Sequence, residues 1–184
     1  MPTAIDDSEI HQIVQRVVQN VLGSSERASA QPVARRIVAI GADHGGFELK
    51  ETLKSEVSTL GFEVMDVGTV SKEAVDYPDF AHAVAQSVST GKAWRGIMID
   101  GAGIGSCIVA NKVPGVRAGM AYDVSSASNS REHNDTNVLT LGAGLIGVAL
   151  AKQIVKIWLT TDFGGDRHAK RVDKIKAVEK QYLK

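Results

Sequence analysis

The chain has 184 residues, 43% of them hydrophobic and 23% charged, which fits one globular domain with a substantial core. Its 21 basic and 21 acidic residues balance, so no net field attracts nucleic acid or an anionic membrane, and neither is an expected partner. A single cysteine excludes an intrachain disulfide, and no apolar run could cross a bilayer or form a signal sequence, so we expect a soluble, cytoplasmic protein.

Residues 5–22 are predicted to form an amphipathic helix. Asp6 and Glu9 make a capping-box pattern at its start, and Gly23 marks its end. Its apolar residues share one helical stripe, and the opposite face is polar; the stripe consists of Ile10, Ile13, Val14, Val17, Val18, Val21 and Leu22.

The segment from Ser24 to Arg35 is predicted to be a flexible tether, because it is rich in Ser, Ala, Gln and Arg and has no periodicity. We therefore interpret the chain as a helix with its linker at residues 1–34 and a folded domain at residues 35–184.

The apolar stripe of an isolated helix of this length needs a partner surface. One interpretation docks it onto its own domain or onto a twin subunit. A second, binding to a membrane surface, is disfavoured because the polar face is not rich in Lys or Arg. In a third, the helix and linker resemble the encapsulation peptides that recruit cargo into bacterial microcompartments. Residues 5–22 would then bind shell or cargo proteins, and the enzyme would lie in the microcompartment lumen.

After the linker, short apolar runs alternate with helical periodicity, which is typical of repeated βαβ units. The predicted strands are Ile37–Ile40, Val64–Val67, Ile97–Ile99, Val116–Met120 and Val138–Leu141. The fold class is α/β, with about five mostly parallel strands covered by helices on both faces. Ligands bind beyond the carboxyl ends of the strands in such folds, so reactive residues are expected to cluster there.

Asp43 and His44 follow the first strand, within the sequence GADHGG. Histidine suits proton transfer near neutral pH, and glycines let the backbone approach a substrate closely. This is a candidate site. The alternative is that Asp43 caps a helix and His44 is a bystander.

A glycine-rich segment, Asp100–Ser106, follows the third strand and begins a helix. It lacks the dinucleotide fingerprint and the Gly-Lys-Ser/Thr of a Walker loop, so nucleotide binding is disfavoured. Backbone amides at a helix N-terminus suit an anion such as an enediolate or a phosphate; those of this loop belong to Gly101, Ala102, Gly103 and Gly105. Asp100 is a candidate base beside this loop, and a structural cap of the turn is the alternative.

Two more polar motifs stand beside later elements. The sequence HNDTN begins at His133, directly before the strand Val138–Leu141, and turn formation is the alternative to a site. Arg167 and Arg171 lie four residues apart, so they share one face of the final helix. Two guanidinium groups there suit bidentate phosphate binding, with a solvated basic face as the alternative.

The remaining reactive side chains are interpreted as structural. Cys107 has apolar neighbours and is expected in the core rather than as a nucleophile. His82 is expected to be structural or exposed. No spacing resembles a zinc site, so no metal is predicted.

Taken together, these motifs resemble the type B ribose-5-phosphate isomerases, a family grouped with the galactose-6-phosphate isomerase subunits. The resemblance covers nearly all of residues 36–184 and implies a Rossmann-like three-layer sandwich without cofactor or metal. It also implies a homodimer or dimer of dimers, with active sites at the subunit interface. It rests on GADHGG, Asp76-Tyr77-Pro78, the glycine loop with Ala110-Asn111-Lys112, HNDTN, and Arg167-His168 with Arg171.

The resemblance also implies roles for single residues. His133 would open the furanose ring, and Asp43 and His44 would contact sugar hydroxyls or assist. The two arginines would hold the phosphate, and the amides of the glycine loop would stabilise the enediolate. The residues that would contact or support the substrate are His44, Gly101, Ala102, Gly103, Gly105, Asn111, Asn134, Arg167 and Arg171.

The chain departs from the family at the base that moves the proton between two carbons. One branch of the family has a cysteine at the position of Asp100, another has a glutamate at the position of Ser106, and this chain has neither. Many ribose isomerases also carry a threonine at the position of Ala102. An aspartate at position 100 is similar to the galactose-6-phosphate isomerase subunits, whereas HNDTN has the form of the ribose enzymes.

The leading hypothesis is an aldose–ketose isomerase that interconverts ribose 5-phosphate and ribulose 5-phosphate through a cis-enediolate, with Asp100 as the proton shuttle. Isomerisation of a different sugar phosphate is one alternative. A catalytically weak or inactive sugar-phosphate binding protein is another.

Overall fold

The computed structural model of the protein describes residues 36–182. The predicted helix at residues 5–22, its end at Gly23 and the tether lie outside the described residues. Those interpretations, and the domain boundary drawn from them, stay predictions.

Five strands and six helices make up the described part of the chain. The strands are β1 (Ile37–Ala42), β2 (Glu63–Asp66), β3 (Arg95–Asp100), β4 (Ala118–Met120) and β5 (Val138–Gly142). The helices are α1 (Phe47–Thr59), α2 (Tyr77–Ser89), α3 (Ile104–Ala110), α4 (Val124–Glu132), α5 (Val148–Thr160) and α6 (Asp166–Tyr182). Among these six helices, none is long and apolar enough to span a membrane.

All five strands are parallel and lie in the order β2-β1-β3-β5-β4, so the predicted α/β fold with a parallel sheet is confirmed. The connections run outward in opposite directions from the neighbouring strands β1 and β3. In an open sheet of this kind the crevice for a ligand lies where the strand order reverses, at the carboxyl ends. Here those ends are Ala42 and Asp100.

Helices cover both faces of the sheet and bury its central strands on both sides. One core lies beneath α1, α4 and α5 and includes Trp158, which is 0% exposed and donates its indole N–H to Thr136 Oγ1 at 3.0 Å. The other lies beneath α2 and α3, around Val84 and Met98. The result is the expected three-layer sandwich.

A buried arginine joins the start of β3 to the end of α5. Arg95 donates from Nη1 to the carbonyl oxygens of Trp158 and Leu159, at 2.8 and 3.1 Å. Burial lowers the pKa of Arg95 to about 9. The last turn of α5 is therefore fixed at the amino-terminal edge of the sheet, which decides where the segment leading to α6 begins.

At the opposite edge, Gly46 allows the turn after β1 to pack against β3. A Cβ atom on Gly46 would lie 2.4 Å from the carbonyl oxygen of Ile99, closer than any side chain tolerates. The absence of a side chain at this position brings the β1 turn next to the glycine-rich loop.

Candidate active site

Asp43 lies directly after β1 and uses only one of its carboxylate oxygens in the fold. Oδ1 accepts a hydrogen bond from the Gly46 amide at 3.0 Å, which shapes the turn into α1. Oδ2 has no hydrogen-bond partner within residues 36–182, although it is not sealed away from solvent. The residue as a whole is 7% exposed. Asp43 therefore supports the turn and still presents one open oxygen to the crevice.

His44 is exposed at the same edge of the sheet and contacts the backbone of the loop before α2. Its Nδ1 lies 3.2 Å from the amide nitrogen and 3.1 Å from the carbonyl oxygen of Val75. These contacts orient the ring and leave Nε2 free at the surface. The structure thus brings His44 beside Asp43, as predicted.

Asp100 ends β3, and its carboxylate accepts four hydrogen bonds from the loop that follows. Oδ1 accepts from the amides of Ala102, at 2.9 Å, and Gly103. Oδ2 accepts from the amide of Ser106, at 3.2 Å, and from its hydroxyl. The residue is 4% exposed. An ionised carboxylate offers about four lone-pair sites, so all of them are occupied.

These bonds favour the turn-cap interpretation of Asp100, and its role as the base stays a prediction. They also engage the amides of Ala102 and Gly103, which were expected to hold the enediolate. The amides of Gly101 and Gly105 have no acceptor within residues 36–182, so they remain available to an anion. The sequence identified Ser106 only as the position of a glutamate in another branch of the family and gave it no role, because its hydroxyl contact depends on how the turn folds.

The glycine loop is held against β5 and α2. The amides of Ala143 and Gly144 donate to the carbonyl oxygens of Asp100 and Gly101, at 2.8 and 3.0 Å. On the other side a Cβ atom on Gly105 would lie 2.6 Å from the Tyr77 hydroxyl oxygen. Tyr77 stood in a recognised motif but was given no role in the site. Its ring forms one wall of the loop, a contact that spacing along the chain could not reveal.

His133 belongs to a second group of polar residues. It caps the C-terminus of α4, and its ring stacks on that of His168 with centroids 4.1 Å apart and planes 6° from parallel. Arg167 and Arg171 are exposed on the same helix as His168, and neither forms an ion pair within the described chain. The arrangement of two arginines beside a histidine is therefore open to a phosphate group.

His168 was recognised in a motif but not proposed as a site residue. Arg167 Nε donates to its Nε2 at 3.3 Å, which leaves the proton of the neutral ring on Nδ1. That Nδ1 is buried and has no partner within residues 36–182. Burial lowers the pKa of His168, and electrostatic interactions with His133, Arg167 and Arg171 lower it further against a weaker opposing effect of Glu132. The stacked partner of His133 is thus held neutral.

The two predicted asparagines differ in their surroundings. Asn111 pairs its amide group with the backbone of Ala118, accepting at 3.0 Å and donating at 3.0 Å, which fixes α3 to β4 and favours a structural role. Asn134 is exposed and lines an open cleft of about 360 Å³ with residues of α4. Cys107 donates to Ala118 at 3.5 Å and burial raises the pKa of its thiol, which agrees with a core residue. His82 is exposed, as expected.

The structure does not bring all predicted site residues together within one chain. Asp43, His44 and the glycine loop lie at the carboxyl edge of the sheet. His133 precedes β5 and Arg167 follows α5, so both lie at the amino edge. A five-residue strand separates the edges by about 16 Å. The expectation that the reactive residues cluster after the strands is therefore wrong for the second group, because helices following strands return the chain to the other edge.

Within residues 36–182, no three His, Cys, Asp or Glu side chains converge as a metal site would require. The hydrogen-bond donors that remain available at the two edges of the sheet are instead backbone amides, histidines and arginines. These groups suit an anionic, hydroxyl-rich ligand better than a metal ion.

Comparison with known proteins matches the Ribose/Galactose Isomerase family over residues 38–175. A putative sugar phosphate isomerase of Bacillus subtilis is 48% identical over 79% of this chain and 99% of its own length. Ribose-5-phosphate isomerase B of Escherichia coli is 45% identical over 78% of this chain and 97% of its own. D-erythrulose-4-phosphate isomerase of Pectobacterium atrosepticum is 42% identical, with coverage of 78% and 95%.

The fold matches as well. The structure of ribose-5-phosphate isomerase B from Clostridium thermocellum superposes with a TM-score of 0.78 at 49% identity, over 79% of this chain and 99% of that one. The relatives are matched over nearly their whole length, whereas about a fifth of this chain lies outside the match.

The low pKa of His168 predicts acid sensitivity. The unfolded chain takes up a proton at this position near pH 6.5, but the folded chain does so only at lower pH. Below about pH 6.5 the unfolded state binds more protons than the folded state. The free energy of unfolding should therefore decrease as the pH is lowered through this range. In His168→Phe, which keeps a stacking ring without a titrating group, this fall should be smaller.

Urea unfolding at pH 7 and pH 5 measures the effect. His82→Asn is the matched control, because it removes an exposed histidine and leaves the stacked pair intact, so it should lose as much stability as the unaltered chain. An equal loss in His168→Phe would contradict the assignment.

Proposed function

The chain belongs to the ribose/galactose isomerase family, and we propose that it interconverts ribose 5-phosphate and ribulose 5-phosphate through a cis-enediolate. Its class is that of an aldose–ketose isomerase acting on a small phosphorylated sugar. The proposal concerns the substrate, which we take to be a five-carbon sugar phosphate.

The observation that carries the proposal is the pair of arginines beside His133. Arg167 and Arg171 are exposed, lie one helical turn apart and have no acidic partner within residues 36–182. They are suited to grip a phosphate from two sides. His133, whose stacked neighbour is kept neutral, would then face the sugar ring and move the proton that opens it.

A complete site requires a second copy of the chain. The arginines and His133 lie at one edge of the sheet, and Asp43, His44 and the amides of Gly101 and Gly105 lie at the other. The sheet is taller than a pentose phosphate is long, so one substrate molecule cannot reach both edges of one chain. We therefore propose a homodimer, or a dimer of dimers, in which the carboxyl edge of one copy faces the amino edge of the next.

Exposed apolar residues support this assembly. Ile104, in the glycine loop, and Ile108, in α3, are 56% and 57% exposed. Leu145 follows Gly144, whose amide bonds to the loop, and is 59% exposed. Helix α6 buries only His168 and Val172 in its own domain. Apolar surface of this kind beside a polar site is typical of a protein interface.

Two alternatives concern the substrate and the activity. A relative at 42% identity is an isomerase of D-erythrulose 4-phosphate, so a four-carbon substrate is the first alternative to ribose 5-phosphate. The engaged carboxylate of Asp100 is the observation that favours the second alternative, a weak or inactive sugar-phosphate binding protein.

Turnover of ribose 5-phosphate tests the proposal, with erythrulose 4-phosphate and hexose 6-phosphates assayed in parallel on the full chain. We expect the highest kcat/KM on ribose 5-phosphate. A tenfold preference for another sugar phosphate would reassign the substrate. Binding of these sugars by calorimetry without turnover of any of them would establish the inactive binding protein instead.

The shared site predicts complementation between two inactive variants. Asp43→Asn damages one edge of the site and His133→Asn the other. Random pairing makes half of the dimers mixed, each with one intact site, so co-expression should restore about a quarter of the unaltered specific activity. Each variant expressed alone is the control. A mixture as inactive as the separate variants would place the whole site within one chain.

We further propose that residues 5–22 act as an encapsulation peptide and that the enzyme works in the cytoplasm or in the lumen of a bacterial microcompartment. The apolar stripe of the segment supports this, because such a stripe docks into a groove on a partner. Residues 1–34 fused to a fluorescent protein should form foci in cells that express microcompartment shells. A version with Val14 and Val18 changed to Asp should stay diffuse, and diffuse fluorescence from the unaltered fusion would refute the idea.

A further inference from the structure

We propose that Asp43, and not Asp100, is the base that moves the proton between C1 and C2 of the sugar, and that Asp100 is a positioning residue that holds the glycine loop. The inference rests on the proposed isomerase function. It concerns which of two buried carboxylates at the carboxyl edge of the sheet touches the substrate.

Asp100 has no lone pair left for a substrate proton. The amides of Ala102, Gly103 and Ser106 and the Ser106 hydroxyl occupy both of its oxygens. Protonation of this carboxylate would break at least one of these bonds and leave a buried donor without an acceptor, because Ser106 is 0% exposed. The geometry therefore opposes the use of Asp100 as a proton shuttle.

Asp43 has the opposite arrangement. One oxygen is fixed by the Gly46 amide, which sets the plane of the carboxylate, and the other is open. A base needs both features, since an oriented group with a free lone pair can reach a carbon-bound proton without first losing a partner.

The Asp43 carboxylate lies near an unused amide and near open space, as the position of its Gly46-bonded oxygen, Oδ1, shows. Asp43 Oδ1 and the Gly101 nitrogen lie 3.4 and 3.7 Å from the position that a Cβ atom on Gly45 would occupy. A Cβ atom on Gly101 would meet nothing within 4 Å, so the loop surface there borders open space. The Gly101 amide has no acceptor within the described chain. A base, an oxyanion donor and room for a substrate thus coincide.

The Asp43 carboxylate takes the proton from C2 of the open-chain aldose phosphate. The electron pair of that C–H bond forms the C1=C2 double bond, and the carbonyl pair moves to O1, where the Gly101 amide stabilises the charge. The O2 hydroxyl proton passes to O1, which becomes the C1 hydroxyl, and the electron pair left on O2 forms the C2=O2 carbonyl. The pair of the C1=C2 bond takes the proton back from the Asp43 carboxylic acid at C1, which regenerates the carboxylate. No oxidant, metal or cofactor takes part.

Two isosteric variants of the full chain separate the carboxylates. Asp43→Asn keeps an acceptor for the Gly46 amide, so its melting temperature should not change, and its kcat should fall at least about a thousandfold at a similar KM. Asp100→Asn keeps an acceptor for Ala102 and Gly103 but not for the Ser106 amide. Its melting temperature should fall by a few degrees, and its kcat should stay within about tenfold. Glu63→Gln, which removes an exposed carboxylate at the far edge, is the control.

Exchange of the substrate C–H proton in heavy water gives a readout that a purely structural role would not move. The unaltered chain and Asp100→Asn should incorporate deuterium at C1 of the ketose, and Asp43→Asn should not. The proposal is overturned if Asp43→Asn keeps a tenth of the activity, or if Asp100→Asn loses turnover and exchange at an unchanged melting temperature. If Asp100→Asn does not fold, the exchange result for Asp43→Asn decides alone. An unaltered chain that neither turns over nor exchanges any sugar phosphate would instead refute the proposed function.

Discussion

Four hydrogen bonds to one carboxylate organise the carboxyl edge of this sheet. Asp100 brings a negative charge out of water at the end of β3, and the amides and hydroxyl of the following turn compensate for its lost hydration. Those bonds fold the loop back on itself, with Gly103 at a φ of 79° that favours glycine. The folded loop then docks on Ala143, Gly144 and Tyr77. The Asp100 carboxylate thus shapes the loop, and the loop amides that it does not engage, those of Gly101 and Gly105, are free to bind an anionic ligand.

The direction of the strands is the second constraint. In a parallel sheet every strand ends at the same edge, and each helix carries the chain back to the other edge. Asp43 and the glycine loop follow strands, whereas His133 and Arg167 follow helices. In the proposed assembly, a substrate that contacts all of them lies between two copies of the domain. The exposed apolar residues around the loop and along α6 are consistent with such an assembly.

Similarity to the relatives identifies the type of reaction more closely than it identifies the substrate. The ribose 5-phosphate and erythrulose 4-phosphate isomerases that match this chain differ from it to a similar extent, at 45% and 42% identity. Discrimination between sugars that differ by one carbon depends on a few hydroxyl contacts, which contribute little to overall identity. The three positions at which the sequence departs from the family resemblance, 100, 102 and 106, all lie in the glycine loop.

The sequence by itself determined the strand count, the strand positions and the motifs at their ends. Runs of β-branched residues between glycines predict buried parallel strands, and Asp43 and Asp100 could be placed because each directly follows such a run. Only the tertiary structure decided what these residues contact. The four donors on Asp100, the stacking of His168 on His133 and the pairing of Asn111 with Ala118 depend on loop dihedrals and on which helix ends meet. Hydrophobic periodicity indicates which face of a helix or strand is buried. It carries no information about the hydrogen-bond partner of a polar atom, and those partners decide which carboxylate remains free to react.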